Sequence, residues 1–390
     1  MARKTRYLAL MATTASTLAL AACATEQPAA EPGKDAAPAP VVANPVAVTY
    51  DGGIVLLDGK SLQVAKNIPL EGFNRLNPAG NDRHLMVSTS TGFRVLDAVG
   101  AVLTDNEVKA AKPGHVVRHA GKTVLFADGT GEVTVFDPKT IGTAALPAPK
   151  HKTPEAHHGV AVELENGELV TTVGNEDKRS GIVVLDKDKK EIARNEQCPG
   201  VHGEAAARGE AIVVGCQTGV LIYRNGVITK VTSPDAYGRI GNQAGSDASP
   251  ITLGDYKVDE AAELERPTRI SLIDTEKATL KHVDIGTSYT FRSLARGPQG
   301  EALVLGTDGQ IHVIDSVSGA VTKKIAVIGS WQEPIEWQQP RPAIFVRGGT
   351  AYVTDPGKKE IHSVDLATGA KTATGTIPGT PNEVSGVLAG

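Results

Sequence analysis

Aromatic side chains are scarce: Phe, Trp and Tyr make up 4% of the 390 residues, and only two are Trp. A platform that stacks bases on Phe and Tyr is therefore excluded. Neither sign of charge dominates, with 40 Lys and Arg against 44 Asp and Glu. The chain offers no basic face to a phosphate backbone, and no nucleic acid is expected as a partner. Long apolar runs are absent except for one short stretch near the N-terminus, and no long helical pattern appears. The common catalytic signatures are missing too. There is no H-E-x-x-H helix, no G-x-S-x-G nucleophile elbow, no Walker A loop and no Gly-rich dinucleotide fingerprint after a strand. What is plentiful is turn chemistry, with 42 Gly and 23 Pro beside 41% apolar residues. That combination favours a large β domain over a helical bundle.

The N-terminus reads as an address. Arg3, Lys4 and Arg6 precede an apolar run over 7–22 that is too short to span a bilayer comfortably. The run ends in Leu20-Ala21-Ala22-Cys23, which resembles a bacterial lipobox. Residues 1–22 are thus read as a lipoprotein signal peptide, with a lipid on the Cys23 sulfur; a plain secretory signal is the alternative. Residues 23–44, rich in Ala, Pro and Glu, read as a flexible tether. The expected location is extracytoplasmic, lipid-anchored to the membrane, in a periplasm or at the cell surface. In an exported protein the remaining pair, Cys198 and Cys216, points to a disulfide, with two buried thiols as the alternative.

From residue 45 to 390 one phrase recurs: a short apolar strand, a Gly-containing turn, and a strand ending apolar-x-apolar-Asp. Copies end at Asp58, Asp97, Asp137, Asp186, Asp274, Asp315 and Asp365, with Tyr223 closing a variant copy. A period of roughly forty residues with short strands marks a β-propeller blade. Eight copies predict an all-β, eight-bladed β-propeller, with seven blades as the alternative. The first copy lacks a strand before residues 46–50, and a spare segment over 383–388 follows the last. Joining them completes one blade from both chain ends and closes the ring, leaving no open strand edge.

A propeller brings the starts of its inner strands together at one mouth of a central channel. Alignment of the blades puts His115 (PGHVVRH), His158 (HHGVAVE) and His202 (VHGEAAA) at equivalent positions in the third, fourth and fifth blades. Three neutral imidazoles converging on one mouth suit a zinc ion. A fourth ligand is expected to be water or a carboxylate. Asp128 is the first choice, Glu204 the next, with Asp247 and Glu176 weaker. His157 either alternates away from the site or exchanges roles with His158. His119 lies four residues beyond His115 on the same strand face, and serves a deeper site or caps a hairpin. A Cys198–Cys216 bond would pin the loop that presents His202. Two loops stand out on the same face. Residues 258–267 are acidic, and residues 329–340 carry Trp331 and Trp337, either as partner contacts or as a packing cover.

The segments HHGVAVELENGELV, CPGVHGEAAARGEAIVVGC and PGHVVRH resemble the AztD family of exported zinc metallochaperones, which accompany bacterial zinc ABC importers. The likeness spans nearly the whole chain after the tether. It implies a zinc site that includes His115, His158 and His202, a Cys198–Cys216 pairing, and delivery of zinc to the importer's solute-binding protein. One feature departs from the family: residues 24–83 contain no His, so a His-rich capture arm is missing there. The reading is a zinc-transfer protein and not an enzyme. The alternative is a metal-dependent extracytoplasmic hydrolase or lyase, with water in the open fourth position.

Overall fold

A computed structural model describes residues 41–388. The residues read as a signal peptide, Cys23 and nearly all of the segment read as a tether lie outside the described residues. The described chain forms eight sheets of at least four strands each, arranged as an eight-bladed β-propeller. Blade 1 holds Val46–Tyr50, Gly53–Leu57 and Val64–Pro69, and its innermost strand is the C-terminal Pro381–Gly386. Val46 faces Gly386 and Val48 faces Val384, so both ends of the chain share one sheet, as the sequence predicted. The seven-blade alternative falls away.

Burial explains why the repeats read as they do. The middle strands, such as Gly53–Leu57 and Ala211–Cys216, are buried at every position because neighbouring blades cover both faces. They therefore appear as unbroken apolar runs. The outer strands, such as Glu191–Asn195, keep one face in solvent and stay polar. The recurrent Asp is a turn device. Asp58 accepts the Lys60 and Ser61 backbone N–H groups, and Asp315 and Asp365 accept those of Ser318 and Thr368. Each carboxylate thus ties the hairpin between third and outer strand. In the fifth blade Tyr223 replaces it, and its hydroxyl donates to Glu168 of the fourth blade at 2.6 Å.

The segment that carries the candidate site is continuous. The third blade runs through Pro113–His119, Lys122–Ala127, Glu132–Phe136 and His151–Lys152. The fourth holds Ala161–Glu163, Leu169–Gly174, Arg179–Leu185 and Glu191–Asn195. The fifth holds His202–Ala207, Ala211–Cys216, Thr218–Arg224 and Val227–Thr232. One core cluster joins all three through Phe126, Val162, Leu169, Ile212 and Val214, with Cys198 and Cys216 inside it. This shared core fixes the three blades relative to one another. The acidic loop forms turns in which the Val258 and Asp259 N–H groups donate to Glu265. No helix among the described residues is long and apolar enough to cross a membrane.

Candidate metal centre

His115, His158 and His202 form a group whose ligand atoms all lie within 4.8 Å of one another. The ring centroids are 5.2 Å apart for His115–His158, 5.7 Å for His115–His202 and 5.0 Å for His158–His202. Each imidazole has a partner behind it on Nδ1. His158 Nδ1 lies 2.5 Å from Asp128 Oδ2, His202 Nδ1 lies 2.6 Å from the Gly241 carbonyl, and His115 Nδ1 lies 3.3 Å from Glu204 Oε2. The Asp128 carboxylate and the Gly241 carbonyl are acceptors, so His158 and His202 each donate an Nδ1–H backwards and turn Nε2 toward the common space, while the Glu204 carboxylate stands behind His115 at ion-pair distance. The Nε2 atoms of His158 and His202 then face one another at 3.1 Å. Desolvation in the channel wall, reinforced by the neighbouring His115 imidazole, holds His202 well below the usual imidazole range, so it is neutral at pH 7.

Local sequence produces this convergence. The inner strands of the third and fifth blades both change register where the histidine enters, between Pro113 and Val116 and between His202 and Glu204. Such bulges re-aim a side chain out of the regular alternation. A glycine sits beside each imidazole. A Cβ on Gly114 would stand 2.0 Å from Asp128 Oδ1, and one on Gly203, where φ is +70°, would stand 2.3 Å from the Gly241 oxygen. Glycine is required at both because the acceptors behind His158 and His202 occupy that space. The Cys198–Cys216 disulfide, with Cα atoms 4.9 Å apart, braces the approach to His202. Gly215, next to Cys216, is the cross-strand neighbour of His202.

Six other candidate ligands take different places. Asp128 stands behind His158 as the acceptor of its Nδ1–H, and Glu204 stands behind His115 at 3.3 Å. His157 is 1% exposed, its Nδ1 donating to the Glu155 carbonyl at 3.0 Å and its Nε2 accepting from Thr172 at 2.9 Å. Of the adjacent pair the structure brings His158 to the group, and His157 is core. His119 meets Glu210 at 3.0 Å at the opposite mouth, where Glu210 also accepts the Glu165 N–H. It clamps hairpins and joins no convergent trio. Glu176 pairs with Lys112 at 2.9 Å, and Asp247 lines a separate 860 Å³ cavity at the opposite mouth.

The open side of the three imidazoles faces a cavity of 370 Å³, whose far wall includes Arg75, Phe291, Glu333 and Trp337. No protein-family model matches the chain. Over 291 residues it is 27% identical to the zinc chaperone AztD of Citrobacter koseri, covering 72% of this chain and 67% of that protein. The solved structure of apo AztD from Citrobacter koseri aligns with a TM-score of 0.75 at 23% identity, over 88% of this chain and 96% of that one. The chain resembles AztD. The dihydro-heme d1 dehydrogenase NirN shares the fold more distantly, with a TM-score of 0.55 at 11% identity over 92% of this chain and 76% of that one.

The likeness to AztD bears out the resemblance read from the segments around the three histidines. Other residues of the site carried no signal of their own. The Gly241 carbonyl is held by Asp255, which accepts the Gly241 N–H at 2.6 Å and the Asn242 side chain at 2.8 Å. A backbone acceptor supplied by the next blade leaves no motif. The one cue in the sequence was the Gly beside every one of the three His. Of the two tryptophans, Trp331 is half-buried and donates to the Gly306 carbonyl at 3.0 Å, whereas Trp337 is 51% exposed and stands edge-on to Phe73 at 5.1 Å.

Proposed function

We propose that this chain is an extracytoplasmic zinc chaperone. It holds one Zn²⁺ on the Nε2 atoms of His115, His158 and His202 and hands it to the solute-binding protein of a zinc ABC importer. One observation carries the reading: three imidazoles bring ligand atoms within 4.8 Å of one another, and two of them, His158 and His202, give their Nδ1 proton to a rear acceptor and point Nε2 at the common space. The Nε2 atoms of His158 and His202 are 3.1 Å apart, close enough for one cation to take both as ligands in place of the proton they share. Carboxylate–imidazole–zinc relays use this arrangement of a ligand and its support.

The geometry also suits transfer. Three ligands on one side leave the remaining coordination open to the 370 Å³ cavity. An incoming imidazole or carboxylate can bind there before any protein ligand lets go, so no step requires a bare ion. The exposed Trp337 at the rim offers a contact for the partner, and a lipid on Cys23 would keep the protein at the membrane beside the importer. The likeness to a zinc chaperone supports the same reading. A hydrolytic role fits less well, because Asp128 is engaged with the His158 N–H and is not free to take a proton from water.

The test is metal content. Protein purified without a His tag and weighed under native conditions is expected to carry one zinc per chain. His115→Ala, His158→Ala and His202→Ala should each lose it or bind it far more weakly, while His151→Ala on the outer strand of the third blade should not. Full zinc loading in all three variants would dismiss the site. Delivery is read by mixing loaded protein with the apo binding protein and a chelator that outcompetes the donor but not the acceptor; transfer that survives the chelator is direct.

A further inference from the structure

On the wall opposite the three imidazoles, a recess of the channel gathers guanidiniums. Arg75, Arg292 and Arg341 meet there with two carboxylates, Glu333 and Glu383. Arg341 is 1% exposed and fully engaged, with Nη1 on Glu333 at 2.8 Å and Nη2 on the Glu336 carbonyl at 2.7 Å. That leaves Glu383 between two guanidiniums. Its Oε1 lies 3.1 Å from Arg75 Nε and 3.1 Å from Arg292 Nη2, while its Oε2 accepts the Leu76 N–H at 3.2 Å.

Arg292 is 8% exposed; its Nη1 donates to Asn382 and its Nη2 is ion-paired with Glu383 at 3.1 Å, while its Nε has no partner. A buried guanidinium with one unsatisfied N–H is costly. Desolvation pushes Arg292 down to about 10, opposed by the Glu383 carboxylate and reinforced by Arg75 and Arg341. Beside these groups lies a cavity of 160 Å³ lined by Arg75, Phe291, Arg292 and Glu383. Arg75 and Phe291 also line the 370 Å³ chamber in front of the imidazoles, so the two spaces share a wall.

We propose that this recess binds the carboxylate of a small organic acid, held by Arg75 and Arg292, with the rest of the acid extending into the chamber that the three imidazoles face. A planar guanidinium matches a carboxylate geometrically, and one added negative charge balances the three Arg and two Glu. Phe291, with the Arg292 and Arg341 guanidinium carbons 5.1 and 5.0 Å from its ring, supplies an apolar side for the acid's carbon skeleton.

The experiment uses metal-free, full-length protein in chloride-free HEPES, so its failure leaves the zinc reading standing. Sodium acetate and sodium succinate are titrated by calorimetry and by thermal shift. Saturable binding is expected at millimolar concentration or below, with succinate tighter than acetate, and a matching rise in melting temperature. Arg75→Gln and Arg292→Gln should each weaken succinate at least tenfold; Arg208→Gln, at the opposite mouth, should not. Each variant leaves Glu383 one arginine, and the half-exposed Arg75 can be replaced without opening the core. No saturation by about 100 mM, or binding unchanged in both arginine variants, overturns the proposal. So does sodium bromide binding at the site that neither acid displaces.

Discussion

His158 donates its Nδ1 proton to Asp128 at 2.5 Å, which fixes the tautomer and raises the basicity of Nε2. Asp128→Asn keeps the shape and removes the charge. Its amide can also turn its NH₂ toward the ring and drive the proton to Nε2, which would take that atom out of ligation. Zinc affinity is therefore expected to fall roughly 10- to 100-fold, less than in His158→Ala, with an unchanged circular dichroism spectrum. Wild-type affinity in Asp128→Asn would show that the carboxylate is not a support. The three histidines were legible in the sequence because they share one register position in successive blades. The supporting role of Asp128 and Glu204 was not, since a carboxylate that ligates and one that orients a ligand look alike in sequence. The choice between His157 and His158 was hidden for another reason: both precede the strand Ala161–Glu163, where period-two alternation does not yet apply.

Bulged strand starts and long top loops are the elements that turn a regular ring into a site. Gly203 is the clearest lever. Its φ of +70° disfavours any side chain, and a Cβ would also collide with the Gly241 oxygen that accepts from His202. Gly226 has a similar φ of +81° at a hairpin tip, with nothing within 4 Å. Gly226→Ala should cost only the backbone strain, about 1 kcal/mol, whereas Gly203→Ala should cost about 1–3 kcal/mol more and weaken zinc. Urea denaturation of the two variants gives the difference, and equal losses would dismiss the clash. The loops divide likewise. Arg266 of the acidic loop donates to the Glu333 carbonyl of the Trp-bearing loop at 2.9 Å, so the two brace each other over the chamber. Trp337→Ala should slow direct transfer while leaving zinc affinity unchanged. Normal transfer in that variant would mean that the exposed ring is only a cover for Phe73. The sequence marked both tryptophans equally, because exposure in a loop depends on contacts such as Trp331 with Gly306 that no local pattern announces.

At the scale of the ring, the blade count and its closure by the last strand were readable because each blade repeats one turn chemistry and one burial pattern. The links that cross the channel were not, since Glu383 meets Arg75 and Arg292 from the far end of the chain. Burial spread around the ring has a further consequence. His84, His151, His157, His202, His282 and His362 are all held below the ordinary value of 6.5, in each case first by desolvation. Between their folded values and 6.5, the unfolded chain binds more protons than the folded one, so stability rises with pH across that interval and is lost as pH falls through it. The carboxylates held low by turn hydrogen bonds, such as Asp58 and Asp315, titrate below the ordinary value of 3.8 and act only at more acid pH. Metal-free protein should therefore show a flat melting temperature above about pH 7 and a fall between about pH 6.5 and 5. His157→Gln, which can keep the Thr172 hydroxyl as a partner, should shallow that slope even if it lowers the plateau. Zinc should raise the curve most at high pH, because protons compete for the same Nε2 atoms. A melting temperature that holds constant from pH 7 to 5 in metal-free protein would mean that these imidazoles stay hydrated in the folded state.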